Sequence, residues 1–190
     1  MILEIVKYGQ PVLRQKGARI EKLTPEIKQL VDDMFETMHE RHGVGLAAQQ
    51  IGKALQLTVI DVREVKDRPS TLELEGKPVE VDVIMPLVLI NPQIKPLGET
   101  VKASEGCLSF PEIFGEIPRP ESVEVEALDR NFKPIKKFRA GGLLARAIQH
   151  EVDHLNGILF IDRMDKETKD KMRNELDQLQ AATKAEMPKK

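Results

Sequence analysis

The sequence is short of several things, and each shortage narrows what the protein can be. Its 190 residues include no tryptophan, and aromatic side chains make up only 4%. A core must therefore be built chiefly from Leu, Ile, Val and Met. There is one cysteine, Cys107, which rules out an intramolecular disulfide and fits a reducing, cytoplasmic setting. No apolar run approaches the length of a membrane-spanning helix. The N-terminal stretch MILEIVKYGQPVLRQ meets Glu4 and Lys7 before an apolar segment can develop, so neither a signal nor a transit peptide is expected. Charge excess is missing too. A formal net charge of -2 argues against the basic surface that general DNA binding requires.

What is present is enough for a folded domain. Hydrophobic residues at 41% and charged residues at 32% allow both a core and a soluble surface. Residues 24–42 predict a helix, with Thr24 as cap, Pro25 in the first turn, and Ile27, Leu30, Val31, Met34, Phe35 and Met38 at helical spacing. Gly43 stops it. The glycine-rich run GVGLAAQQIG (residues 43–52) reads as a loop, and LTVIDV (57–62) as a strand. Residues 63–80 are charged and carry Pro69, Gly76 and Pro78, so a surface loop or hairpin is expected. IMPLVLINP (84–92) and the alternating SVEVEAL (122–128) predict two more strands. A second helix should run from about Gly142 to Leu155 and end at Asn156-Gly157. The short run ILFI (158–161) reads as a strand. From Asp165 on, Met172, Leu176 and Leu179 predict a peripheral amphipathic helix with a frayed end. This pattern divides the chain into one catalytic domain over residues 1–164 and a C-terminal helix and tail over 165–190. The fold class is α+β, with antiparallel or mixed sheets packed around a central helix.

That central helix carries the run HEVDH. Positions i and i+4 share a helix face, so the imidazoles of His150 and His154 can reach one metal ion. Glu151 projects to the side, where it can act as base toward a water on the metal. A chance occurrence in a chain of this composition has odds on the order of one in a hundred, so a solvated helix face is the weaker explanation. His39 and His42 stand at a helix end beside Arg41, where the dipole accounts for them. A hydrolytic site needs a third ligand. No histidine lies downstream, and Asp162, Asp165 and Glu167 sit past the ILFI run. Upstream is Cys107, in EGCLS. A lone cysteine is in general a buried core residue; as a nucleophile it would need a histidine base; as a thiolate it completes a Cys-His-His set.

Three runs in this order, GVGLAAQQIG, EGCLS and QHEVDH, resemble the signature motifs of the peptide deformylases, and LNGILF beside them is similar as well. The resemblance implies that Cys107, His150 and His154 bind one divalent metal and that Glu151 is the general base. It implies that Gln50 and the backbone N–H of Leu108 stabilise an oxyanion, and that Gly45 offers main-chain hydrogen bonds to substrate. The implied metal is Fe²⁺ in the cell, with Ni²⁺, Co²⁺ or Zn²⁺ able to occupy the site. The implied reaction removes the formyl group from formylmethionyl nascent peptides, in the cytoplasm and in transient contact with the ribosome. A nearly balanced C-terminal helix gives that contact no basic docking face.

Three rival readings compete with this one. Gly43, Gly45 and Ala48 match a loose dinucleotide pattern, but they follow a helix and precede a strand, the reverse of the required context. A peptidase that cleaves internal bonds would share HEVDH but not need Cys107. A non-catalytic metal-stabilised binding protein would need four protein ligands and no base.

Overall fold

A computed structural model describes residues 1–189. Helix α1 (Pro25–Glu40) begins where predicted: the Thr24 hydroxyl accepts from Ile27 N–H at 3.2 Å. Its buried Val31, Met34, Phe35 and Met38 form one apolar stripe. Gly43 N–H closes the end on the Met38 carbonyl at 2.9 Å.

Seven strands follow, β1 (Gly45–Ala47), β2 (Leu57–Ile60), β3 (Ser70–Leu74), β4 (Lys77–Val79), β5 (Leu87–Cys107), β6 (Phe110–Leu128) and β7 (Phe138–Gly141). They make one curled sheet in the order β1-β2-β5-β6-β7-β3-β4. Every ladder between them is antiparallel. Helix α2 (Gly142–Leu155) lies in the hollow of that sheet, and helix α3 (Lys166–Glu186) packs outside. The α+β class with a central helix is as the sequence implied.

The core falls into three parts. Ile60, Leu89, Val123, Val125 and Phe138 of the sheet close on Leu144 and Ile148 of α2. The stripe of α1 covers Leu46, Leu57, Val59 and Val88. Beneath the β5–β6 turn, Phe110, Ile113 and Ile117 meet Leu13, Phe160, Ile161 and Leu176. Leu144 is wholly buried, and truncating it to Ala should cost about 2–5 kcal/mol.

Four sequence expectations need correction. GVGLAAQQIG is not a plain loop: it contains β1 and a 3-10 turn at Ala48–Ile51. The 84–92 strand starts only at Leu87, because Val81–Ile84 forms a 3-10 turn. ILFI is not a strand; Phe160–Asp162 is a 3-10 turn, and the Leu159 N–H is taken by the Asp162 carboxylate at 2.9 Å instead of by a neighbouring strand. Residues 63–80 do form a hairpin, β3–β4, but not merely a surface one. Strand β3 pairs with β7, and Leu72 is buried against the central helix.

Candidate active site

Helix α2 is fixed at both ends by distant segments. Its N-cap Gly141 has no side chain to offer, so the first free N–H groups are met by the 63–80 hairpin. Leu143 N–H donates to the Pro69 carbonyl and Leu144 N–H to the Ser70 hydroxyl, both at 3.0 Å. Gly142 has φ +64°, and a Cβ there would stand 2.2 Å from the Pro69 oxygen, so only glycine permits this approach. At the other end the Leu155 carbonyl accepts from Gly17 N–H at 2.8 Å and from Gln56 Nε2 at 2.9 Å.

The helix held this way presents His150 and His154 to the end of β5. Their ring centroids lie 5.0 Å apart. Cys107 closes β5 at a register shift, just before the two-residue turn Leu108-Ser109. Its Sγ stands 3.3 Å from His154 Nε2. One donor atom from each of Cys107, His150 and His154 falls within 4.8 Å of the others. Two imidazoles and a thiol converging in a buried corner suit a transition metal ion. Among the described residues this is the one such cluster.

Glu151 is buried beside it, and its Oε2 has no hydrogen-bond partner. Burial pushes the carboxyl up to about 7, the charge of Glu105 adding to the effect against the pull of His150. A carboxyl in that range can both take and return a proton near neutrality. Gly45 makes room for it: a Cβ there would lie 2.7 Å from Glu151 Oε1. Gln50 reaches in from the 3-10 turn. Its Oε1 accepts from Ala47 N–H at 2.9 Å, which turns Nε2 toward Cys107 Sγ at 3.5 Å and Ser109 Oγ at 3.2 Å. Leu108, Gly45 and Gln50 all line a cavity of about 720 Å³ shared with Cys107, His150 and Glu151. The residues named from the sequence are thus brought together. His39 is not among them; it pairs with Asp61 at 3.2 Å.

The motifs did not disclose the buried ion network behind the cluster. Glu105 Oε1 lies 2.8 Å from His150 Nδ1. The same carboxylate accepts from Arg119 Nε at 2.6 Å and Arg146 Nη1 at 2.8 Å. Burial would raise Glu105, but hydrogen bonds from His150 and Arg119 overcome it and hold the carboxyl down to about 2. Arg119 also binds Asp153 at 2.9 Å, which Arg163 caps from outside. Glu105 and Asp153 lie inside the runs EGCLS and HEVDH, but their partners are 10 to 45 residues away. No local spacing reveals them. The network leaves His150 Nε2 to face the cluster. For His150, burial works downward, yet Cys107 and the Glu105 hydrogen bond together hold the metal-free ring well above its usual range. His154 is driven well below by burial and by His150, which keeps a lone pair available. A proton and a cation compete for the same corner.

Two imidazoles, a thiol and an adjacent base are the parts of a mononuclear metal-dependent hydrolase. Comparison with known proteins narrows that class. The family model of the polypeptide deformylases matches residues 2–170. A peptide deformylase of Opitutus terrae is 49% identical over 171 residues, covering 89% of this chain and 88% of that one. One of Methylacidiphilum infernorum is 47% identical, covering 94% and 93%. Among solved structures, Arabidopsis thaliana peptide deformylase 1B in complex with an inhibitor is similar at a TM-score of 0.82 and 38% identity, covering 97% of this chain and 94% of that one. A Legionella pneumophila peptide deformylase gives a TM-score of 0.78 at 34% identity, covering 99% and 100%.

Matched by the family model over residues 2–170 and by relatives of 47% and 49% identity, the chain belongs to the polypeptide deformylase family. It is a hydrolase of the class that removes N-formyl groups. No helix among the described residues is long and apolar enough to cross a membrane.

Proposed function

We propose that the chain removes the formyl group from formylmethionyl nascent peptides in the cytoplasm. The observation that carries this reading is the convergence of Cys107, His150 and His154 beside the unpaired Glu151 carboxylate. Cys107, His150 and His154 would hold one divalent ion, Fe²⁺ in the cell, with Ni²⁺, Co²⁺ or Zn²⁺ as alternatives. Such an ion supplies Lewis acidity and lowers the pKa of water at the site toward neutrality. The soft thiolate in the set suits a transition metal and argues against Mg²⁺ or Ca²⁺.

The protein's own groups then divide the work. Glu151 takes a proton from the water that attacks the formyl carbon and passes it to the departing amine. Gln50 Nε2 and the Leu108 N–H donate to the oxygen that becomes negative, and losing one such donor should cost roughly a hundredfold in rate. Gly45, on the exposed edge of β1, holds the peptide backbone by main-chain hydrogen bonds. Val44, Leu143 and Ala147 give the cavity an apolar wall for the methionine side chain. Contact with the ribosome follows from the nascent substrate rather than from any basic face of α3. Residues 1–164 act as the catalytic unit and 165–190 as its peripheral helix and tail.

The direct test is formate release from a formyl-Met-Ala-Ser peptide by Fe²⁺- or Ni²⁺-loaded protein under anaerobic conditions. Turnover supports the reading, and its absence overturns it. Cys107→Ser separates it from an internal peptidase: the metal should be lost or much weakened here, and retained there.

A further inference from the structure

Three of the charged side chains lining the active-site cavity are already committed. Glu105 and Arg146 bond one another, and Glu151 is the base. Glu4, Lys7, Arg41 and Glu112 also line the cavity, but all four are exposed. Arg68 differs from them. It lies in the hairpin that caps α2, it is half-buried, and it is tied in place by Nη1 donating to the Ser104 carbonyl at 3.1 Å. Among the described residues neither Nε nor Nη2 has a partner, and the guanidinium pairs with no carboxylate. An Arg that lines a cavity and keeps two donors without a partner is suited to receive an anion.

Position fixes which part of a peptide could supply it. Ser104 stands three residues before Cys107 on β5, a separation of roughly 10 Å along a strand. A peptide that places its formyl group at the Cys107–His150–His154 cluster and runs extended covers the same roughly 10 Å in three residues. Pro69, next to Arg68 in the chain, accepts from Leu143 N–H, and Arg68 and Leu143 border the same cavity. Resting on the function proposed above, we infer that Arg68 is a specificity-determining residue that binds an acidic side chain at the second or third position of the formylmethionyl substrate. A lysine there meets an unpaired cation and is disfavoured.

The test compares kcat/KM for formyl-Met-Glu-Ser and formyl-Met-Ala-Glu with their lysine counterparts, with formyl-Met-Ala-Ser as neutral reference. Metal-loaded wild type, Arg68→Gln and Arg68→Glu are measured. In low salt the wild type should favour acid over base by about fivefold to tenfold at one of the two positions. The ratio should shrink in about 0.5 M salt, fall to near one in Arg68→Gln and invert in Arg68→Glu. A flat wild-type ratio, or one that both variants leave unchanged, overturns the assignment while turnover of the neutral peptide upholds the site. No turnover of the neutral peptide overturns the proposed function, and this inference with it.

Discussion

His150 Nδ1 meets Glu105 Oε1 at 2.8 Å, and because Glu105 is held ionised the ring must donate there. The tautomer is thereby set, with Nε2 directed at Cys107 and His154. Two arginines, each at most 7% exposed, share the same carboxylate. Orientation of a proposed metal ligand and cohesion of the core therefore depend on one residue.

Glu105→Gln keeps the volume and removes the charge. It should weaken metal binding by about 10- to 100-fold and, by leaving Arg119 and Arg146 short of a counter-charge, cost about 3–5 kcal/mol. Chelator competition and denaturant unfolding measure the two effects. A variant with wild-type affinity and stability would remove Glu105 from the account.

Gly45→Ala tests the close approach to Glu151. The backbone there is ordinary strand, so folding should survive, but the new Cβ meets the carboxylate at 2.7 Å and must displace it. The loss in kcat/KM should be on the order of a hundredfold, with unchanged metal content. Steady-state kinetics beside a metal assay check this.

Much of this architecture was readable in the sequence, for identifiable reasons. Helix α2 has apolar residues at strict helical spacing and a clear stop at Asn156-Gly157, so its limits emerged correctly. Cys107, Gln50 and Glu151 sit in short runs that single them out, and the fold brings all three to one cavity. The long hairpin was hidden. Pro96, Pro111, Pro118 and Pro120 look like breakers, yet the curled pair β5–β6 carries them, with register shifts at Ile90/Gln93, Leu97/Thr100 and Gly106/Cys107. ILFI misled because a four-residue apolar run has no period that separates a strand from a buried turn. The hairpin at 63–80 looked peripheral because its part in capping α2 runs through the Pro69 carbonyl and one hydroxyl.

Ser70→Ala removes that hydroxyl from Leu144 N–H. The cap should be worth about 1 kcal/mol, a fall in Tm of roughly 2–4 °C for a chain this size. A thermal melt of the metal-free protein reads it. An unchanged melting point would show that the Ser70 hydroxyl does not brace helix α2.

Asp165 caps α3, and its carboxyl is held down to about 2 by hydrogen bonds from Thr168, first the backbone N–H, and by Lys102. A depressed carboxyl stabilises the fold fully above its ordinary value and stops doing so as pH falls through the lowered one. The advantage of wild type over Asp165→Ala should therefore persist from neutrality to about pH 4 and vanish as pH falls toward 2. Paired melts across that window, with a carboxyl NMR titration of Asp165, give the midpoint. A midpoint at the ordinary aspartate value would contradict the assigned cap.

The central claim is that Glu151 moves the proton while Cys107, His150 and His154 hold the metal. Glu151→Gln separates these roles. Metal content and formate release from formyl-Met-Ala-Ser should be measured on the same anaerobic preparation. The account predicts wild-type metal stoichiometry and turnover lowered by roughly a hundredfold or more. Full turnover with the metal in place would contradict it.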